Sequence, residues 1–164
     1  MKYVLSERAL LKVSGPDAET FLQSQLSNDI TKLDRSRIQL NAYCQHQGKI
    51  IGLLWVIRND ESFFISFPKD LLETIKSRFL MFVIMSDVVI EDVSSSYNQI
   101  GLIDEKQSNG YSINDRLSLK IENRTEKTNS KVDDNIEWTL ACIKSFLPEI
   151  FMATREKFVP QMLN

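Results

Sequence analysis

Ile38-Gln39-Leu40-Asn41-Ala42-Tyr43-Cys44, then Gln45-His46-Gln47-Gly48-Lys49, then residues 50–58 form the stretch whose reading decides the fold. In the first piece polarity alternates, with Ile38, Leu40, Ala42 and Cys44 on one face and Gln39, Asn41 and Tyr43 on the other. Successive side chains of a strand point to opposite faces, so this pattern predicts a strand with one polar face. The next five residues predict a turn. Residues 50–58, apolar up to the closing Arg58, read as a strand covered on both sides. Asn59-Asp60-Glu61 predicts a second turn, leading into a strand over 62–67. Three strands with short links predict an antiparallel meander.

Upstream, residues 9–13 read as a strand that Ser14-Gly15-Pro16-Asp17 ends. Pro16 suits the first position of a helix, where its missing N–H is no loss, and Asp17 and Glu19 complement the positive end of the helix dipole. Phe21, Leu22 and Leu26 give that helix an apolar stripe, and its exit at Asn28-Asp29 places Gln25, Asn28 and Asp29 near one helix end. Downstream of Pro68, Leu72, Ile75, Phe79 and Phe82 recur at spacings of three and four, which predicts an amphipathic helix over 69–82. Strands are expected at 88–90, 99–103 and 117–121. Residues 122–135 are polar apart from Val132 and read as a loop or flexible insertion. Asn135 can cap a last helix in which Ile136, Leu140, Ile143 and Leu147 share a face. Without a βαβα alternation, the pattern predicts an α+β fold of antiparallel sheet with packed helices, in one domain spanning 1–164.

With 164 residues, 43% apolar and 26% charged, the chain is able to bury a core of its own. The net charge of -2 is evenly spread, each of the segments 1–92 and 93–164 summing to -1. Nucleic-acid binding is driven by counterion release at a basic surface, so no direct nucleic-acid partner is expected. Cys44 and Cys142 lie 98 positions apart with no disulfide spacing, which favours a reducing compartment. The longest nearly apolar run, 50–57, is eight residues against the roughly 20 a spanning helix needs. A cytoplasmic protein with no membrane association is the expectation.

Few constellations carry chemistry. The single imidazole, His46, sits in a turn predicted to be exposed, so no hydrolytic triad is expected. Cys44, His46 and Cys142 fall short of four soft ligands, so no metal site is expected either. Gly48-Lys49 lacks the remaining residues of a phosphate loop. Phe63, Phe64, Phe67, Phe79 and Phe82 have the spacing of core residues. Asn41 and Tyr43 become pocket residues only if their strand face lies against Gln25, Asn28 and Asp29.

The segment from Val13 through Ser14-Gly15-Pro16-Asp17 to Leu26-Ser27-Asn28-Asp29-Ile30 resembles the folate-binding superfamily of the glycine cleavage T protein. Leu40-Asn41-Ala42-Tyr43-Cys44, Gly48-Lys49 and Phe158-Val159-Pro160-Gln161-Met162-Leu163-Asn164 resemble its YgfZ branch. This resemblance implies a tetrahydrofolate-binding accessory protein for iron-sulfur cluster assembly or repair, indirectly supporting tRNA modification, with iron-sulfur proteins as possible partners. It also implies domains arranged around a central folate cavity. The folate-binding candidates are Asn28, Asp29, Asn41, Tyr43, Lys49, Pro160, Gln161 and Asn164, with no catalytic or metal residue.

There are two departures from the family pattern. Aminomethyltransferases of this superfamily carry an acidic pair where this chain reads Gly52-Leu53. Positioned acid–base groups contribute a factor of about a hundred to ten thousand, so aminomethyl transfer is disfavoured. The YgfZ hallmark Lys-Gly-Cys-Tyr-x-Gly-Gln-Glu is absent, and neither Cys44 nor Cys142 matches its cysteine. An aminomethyltransferase-like enzyme and a non-catalytic scaffold are the alternatives.

Overall fold

A computed structural model describes residues 1–105, 110–124 and 135–163. Nine strands and three α-helices follow in the order β1 (Lys2–Val4), β2 (Arg8–Ser14), α1 (Ala18–Gln25), β3 (Ile38–Cys44), β4 (Ile50–Asn59), β5 (Ser62–Pro68), α2 (Leu72–Phe82), β6 (Val89–Asp92), β7 (Tyr97–Ile103), β8 (Tyr111–Ser112), β9 (Leu117–Asn123) and α3 (Ile136–Lys144) among the described residues. They form two antiparallel sheets, a five-stranded one ordered β3-β4-β5-β2-β6 and a four-stranded one ordered β1-β7-β9-β8. The α+β class read from the sequence is the observed one.

The central strands of the larger sheet are buried on both faces. Along β2, Ala9, Leu11 and Val13 enter one apolar cluster with α1 and α2, while Leu10 enters a second with Tyr3, Leu119 and Trp138. Along β4, Leu54 and Val56 face the helices and Trp55 and Ile57 face the smaller sheet. Two apolar faces on one strand explain its unbroken apolar run. The β3-β4-β5 meander forms as its turns predict, and β2 is inserted between β5 and β6.

Several local expectations are corrected. Pro16 lies before α1 and Asp17 is its N-cap, with the Asp17 carboxylate accepting from Asp87 N at 2.8 Å instead of capping the helix. The helix expected over 69–82 begins as a 3₁₀ turn, Lys69–Leu71, and becomes α-helical at Leu72. Phe82 is half exposed, unlike the other four phenylalanines assigned to the core. The short strands β1 and β8 were not foreseen. On α3, Ile136, Leu140 and Ile143 face outward, and Trp138 and Cys142 form the buried face. One bulky indole covering the smaller sheet outweighs three aliphatic side chains. The polar loop expected over 122–135 lies largely outside the described residues, and its start, Glu122 and Asn123, belongs to β9.

Trp138 is wedged between the sheets, with its ring 6.5 Å from that of Trp55 and directly over Gly101 of β7. A Cβ at position 101 would lie 2.6 Å from the indole. Gly101→Ala is therefore expected to destabilise the fold by about 1–3 kcal/mol, measured as a lower urea midpoint with an unchanged slope; an unaltered midpoint would show that α3 is not seated there.

Candidate functional site

The polar side of β3 and the exit of α1 do meet, and they meet through each other's hydrogen-bonding groups. Asn41 is fully buried, and its Oδ1 accepts from Asn28 N at 2.9 Å while its Nδ2 donates to Gln39 Oε1 at 3.0 Å. Asn28 Nδ2 donates to Leu40 O, and Gln39 Nε2 donates to Asp29 O at 2.9 Å. Ser27 completes the seam, accepting from Ala42 N through Oγ at 2.8 Å and donating its own N–H to Ala42 O at 3.2 Å. The helix exit thus runs beside β3 as an extra, side-chain-mediated edge. This corrects the expectation of a strand with one polar, solvent-facing side: Asn41 and Tyr43 are covered by the helical layer.

Tyr43 lies deeper than Asn41's partners. Its ring meets Phe79 edge-on at 4.9 Å, and the Arg78 guanidinium lies 5.8 Å from its centroid. The Tyr43 hydroxyl and Arg78 Nε are both buried without a hydrogen-bond partner. Burial pushes the phenol's pKa up, with Arg78 pulling the other way. Asp29 caps the turn after α1, accepting from Thr31 N at 3.1 Å and Thr31 Oγ1 at 2.5 Å. These bonds hold its carboxyl below the usual range.

A second group gathers at the start of β4. Ile50 N donates to Phe158 O at 2.8 Å, and Glu156 N donates to Ile50 O at 2.7 Å, so the segment around 156–163 lies along β4. Phe158 and Leu163 pack on the helix-side core. Lys49 and Gln161 are exposed, Pro160 is half-buried, and Lys49 makes no ion pair among the described residues. Asn164 lies outside the described residues. The seven described candidates therefore divide into a closed hydrogen-bonded seam (Asn28, Asp29, Asn41), a buried phenol (Tyr43) and an open rim (Lys49, Pro160, Gln161).

Positions 52 and 53 lie on opposite faces of β4. Gly52, paired with Tyr43, has Ile75 Cδ1 at 3.0 Å and Leu71 Cδ1 at 3.5 Å from where a Cβ would stand. Leu53, paired with Ala42, is buried. The atoms nearest to where a Cβ at Gly52 would stand are thus all apolar. Neither thiol is activated: burial raises the pKa of Cys44, and burial together with the Glu149 charge pushes Cys142 up to about 11. Reasoning from sequence missed Arg78, Arg58 and Arg8. Arg58 joins Glu19 at 2.5 Å and donates to Leu33 O and Ile30 O, fixing the loop beyond α1 to β4. Its only sequence signal is an arginine closing an apolar strand.

Residues 5–103 match the GCVT N-terminal domain family, so the chain belongs to that family. It is 31% identical over 98% of its length to an uncharacterized protein of Haemophilus influenzae, of which it covers 58%. It is 22% identical over 98% of its length to the tRNA-modifying protein YgfZ of Photorhabdus laumondii, again covering 58%. Over 60% of its length it is 35% identical to the aminomethyltransferase of Exiguobacterium sibiricum, of which it covers 27%. The chain thus spans less than two thirds of these relatives. The glycine cleavage aminomethyltransferase T of Bartonella henselae has the same fold over 61% of this chain and 27% of its own, with a TM-score of 0.55 at 15% identity.

Asn41→Leu keeps the side-chain volume but leaves Asn28 N–H and Gln39 Oε1 without their buried partner. It is expected to cost about 1–3 kcal/mol in urea unfolding, and a neutral result would show that the seam carries no stability. The ionised thiol of Cys142 is disfavoured only in the folded chain. Its contribution to stability is therefore complete below pH about 9 and is lost as pH rises toward about 11. Iodoacetamide at pH 8 should label Cys142 slowly in the folded chain and rapidly in urea; equal rates would contradict this burial.

Proposed function

We propose that this chain is a tetrahydrofolate-binding accessory domain related to the YgfZ branch of its family. Like the resemblance read from the sequence, this reading extends to support of iron-sulfur proteins and, through them, of tRNA modification. The family match over residues 5–103 carries the reading. The apolar surroundings of Gly52 and Leu53 support binding without aminomethyl transfer, because no carboxylate stands on this strand to take a proton from a folate nitrogen.

The donors left free fit the carboxylate-bearing end of a reduced folate. Lys49 offers an unpaired ammonium and Gln161 an exposed amide, beside the half-buried Pro160 that sets the course of the last segment. In this proposal the Asn28–Asn41–Gln39 seam holds β3 and the helix exit in place beneath the ligand, with the Tyr43 ring and the Arg78 guanidinium packed together behind it. Bound tetrahydrofolate would supply a one-carbon-carrying pterin, while the chain's own residues bind and orient it.

Isothermal titration with tetrahydrofolate should give saturable heat, and Lys49→Gln should weaken binding several-fold, by the roughly 1 kcal/mol or less that an exposed ion pair contributes. Folate-dependent methylene transfer should stay at background. Absence of heat and of thermal protection at millimolar ligand would overturn the folate reading in favour of a non-catalytic scaffold.

A further inference from the structure

At the end of the large sheet where Arg8 of β2 pairs with Pro68 of β5, the β1–β2 link, the turn at Lys69 and the β6–β7 turn enclose a cavity of about 270 Å³. Its charged lining is Arg8, Lys69, Asp92 and Arg124. Arg8 is neutralised by Glu149 at 2.5 Å. Asp92 Oδ1 is occupied by Ser94 N at 3.0 Å and Ser94 Oγ at 2.6 Å. Neither Lys69 nor Arg124 forms an ion pair among the described residues. Arg124 is nevertheless held in place, its Nε donating to Asn98 Oδ1 at 3.0 Å, which leaves both Nη groups for another acceptor.

Counting Glu149 with Arg8, the lining keeps two cations against one carboxylate. The hydroxyls of Ser6 and Ser95 and the apolar atoms of Leu72 and Tyr97 complete it. Small-molecule sites commonly measure about 300–1,000 Å³, so this one is matched to a compact ligand or the end group of a larger one. We propose that the cavity binds the carboxylate or phosphate group of a small metabolite, with Arg124 as the bidentate fork and Lys69 as the point charge. The proposal does not rest on folate binding, since it involves different residues.

The test is titration of the full chain with inorganic phosphate and, separately, with succinate at a constant ionic strength of about 0.15 M, so that screening is fixed. Backbone amide shifts are the readout. Saturable shifts confined to residues 4–8, 69–72, 92–99 and 124, with an apparent Kd of about 1 mM or tighter, are expected for at least one anion. Saturation by phosphate alone assigns a phosphate ligand, and saturation by succinate alone assigns a carboxylate. Lys69→Gln and Arg124→Gln should each weaken binding about tenfold at an unchanged melting temperature, and if one variant fails to fold the other carries the test. Shifts that rise linearly for both anions, or identical titrations in the folded variants, would overturn the proposal.

Discussion

The guanidinium of Arg8 fixes the relation between the two sheets. It lies 3.8 Å above the Trp55 ring, donates through Nε to Ser66 Oγ at 2.8 Å and through Nη2 to Ser66 O at 3.1 Å, and pairs through Nη1 with Glu149. Ser66 Oγ donates onward to Gln99 Oε1 at 2.5 Å, and Gln99 Nε2 returns to Arg8 O and Ala9 O at 3.1 and 3.2 Å. One cation thus engages β2, β4, β5, β7 and the segment after α3. A charge this buried is tolerated because its donors are matched and its flat face is covered by an aromatic ring. Removal of one partner strands the others, so the cluster constrains the position of both sheets at once.

The same economy governs the face that carries the family resemblance. Amides able to bind a pterin instead bind one another, because the helix exit at 26–29 lies against β3 and its backbone groups require partners there. Lys49 and Gln161 stay exposed, and the Tyr43 ring packs against Arg78 in the interior. Apolar atoms stand nearest Gly52, and burial raises the pKa of both thiols.

Binary pattern made the meander legible. The alternation at 38–44, the apolar run at 50–58 and the turns between them specify three neighbouring strands with local hydrogen bonds, which need no knowledge of distant residues. Helix existence was equally readable from the stripes at Phe21–Leu22 and Leu72–Ile75–Phe79. Long-range choices were not. The insertion of β2 beside β5 depends on which edge is free, and the outward turn of Ile136, Leu140 and Ile143 depends on the fit of Trp138 over Gly101.

By itself the sequence determined the class of fold, the meander, the near-neutral charge balance and the family to which residues 5–103 belong, because each follows from local periodicity, composition or a contiguous motif. Only the tertiary structure decided that Asn41 bonds with Asn28 and Gln39 inside the protein, that Tyr43 lies beneath the helices with Arg78, and that Lys69 and Arg124 border one cavity. In each case the outcome depends on which distant groups share a buried space, and sequence spacing does not encode that distance.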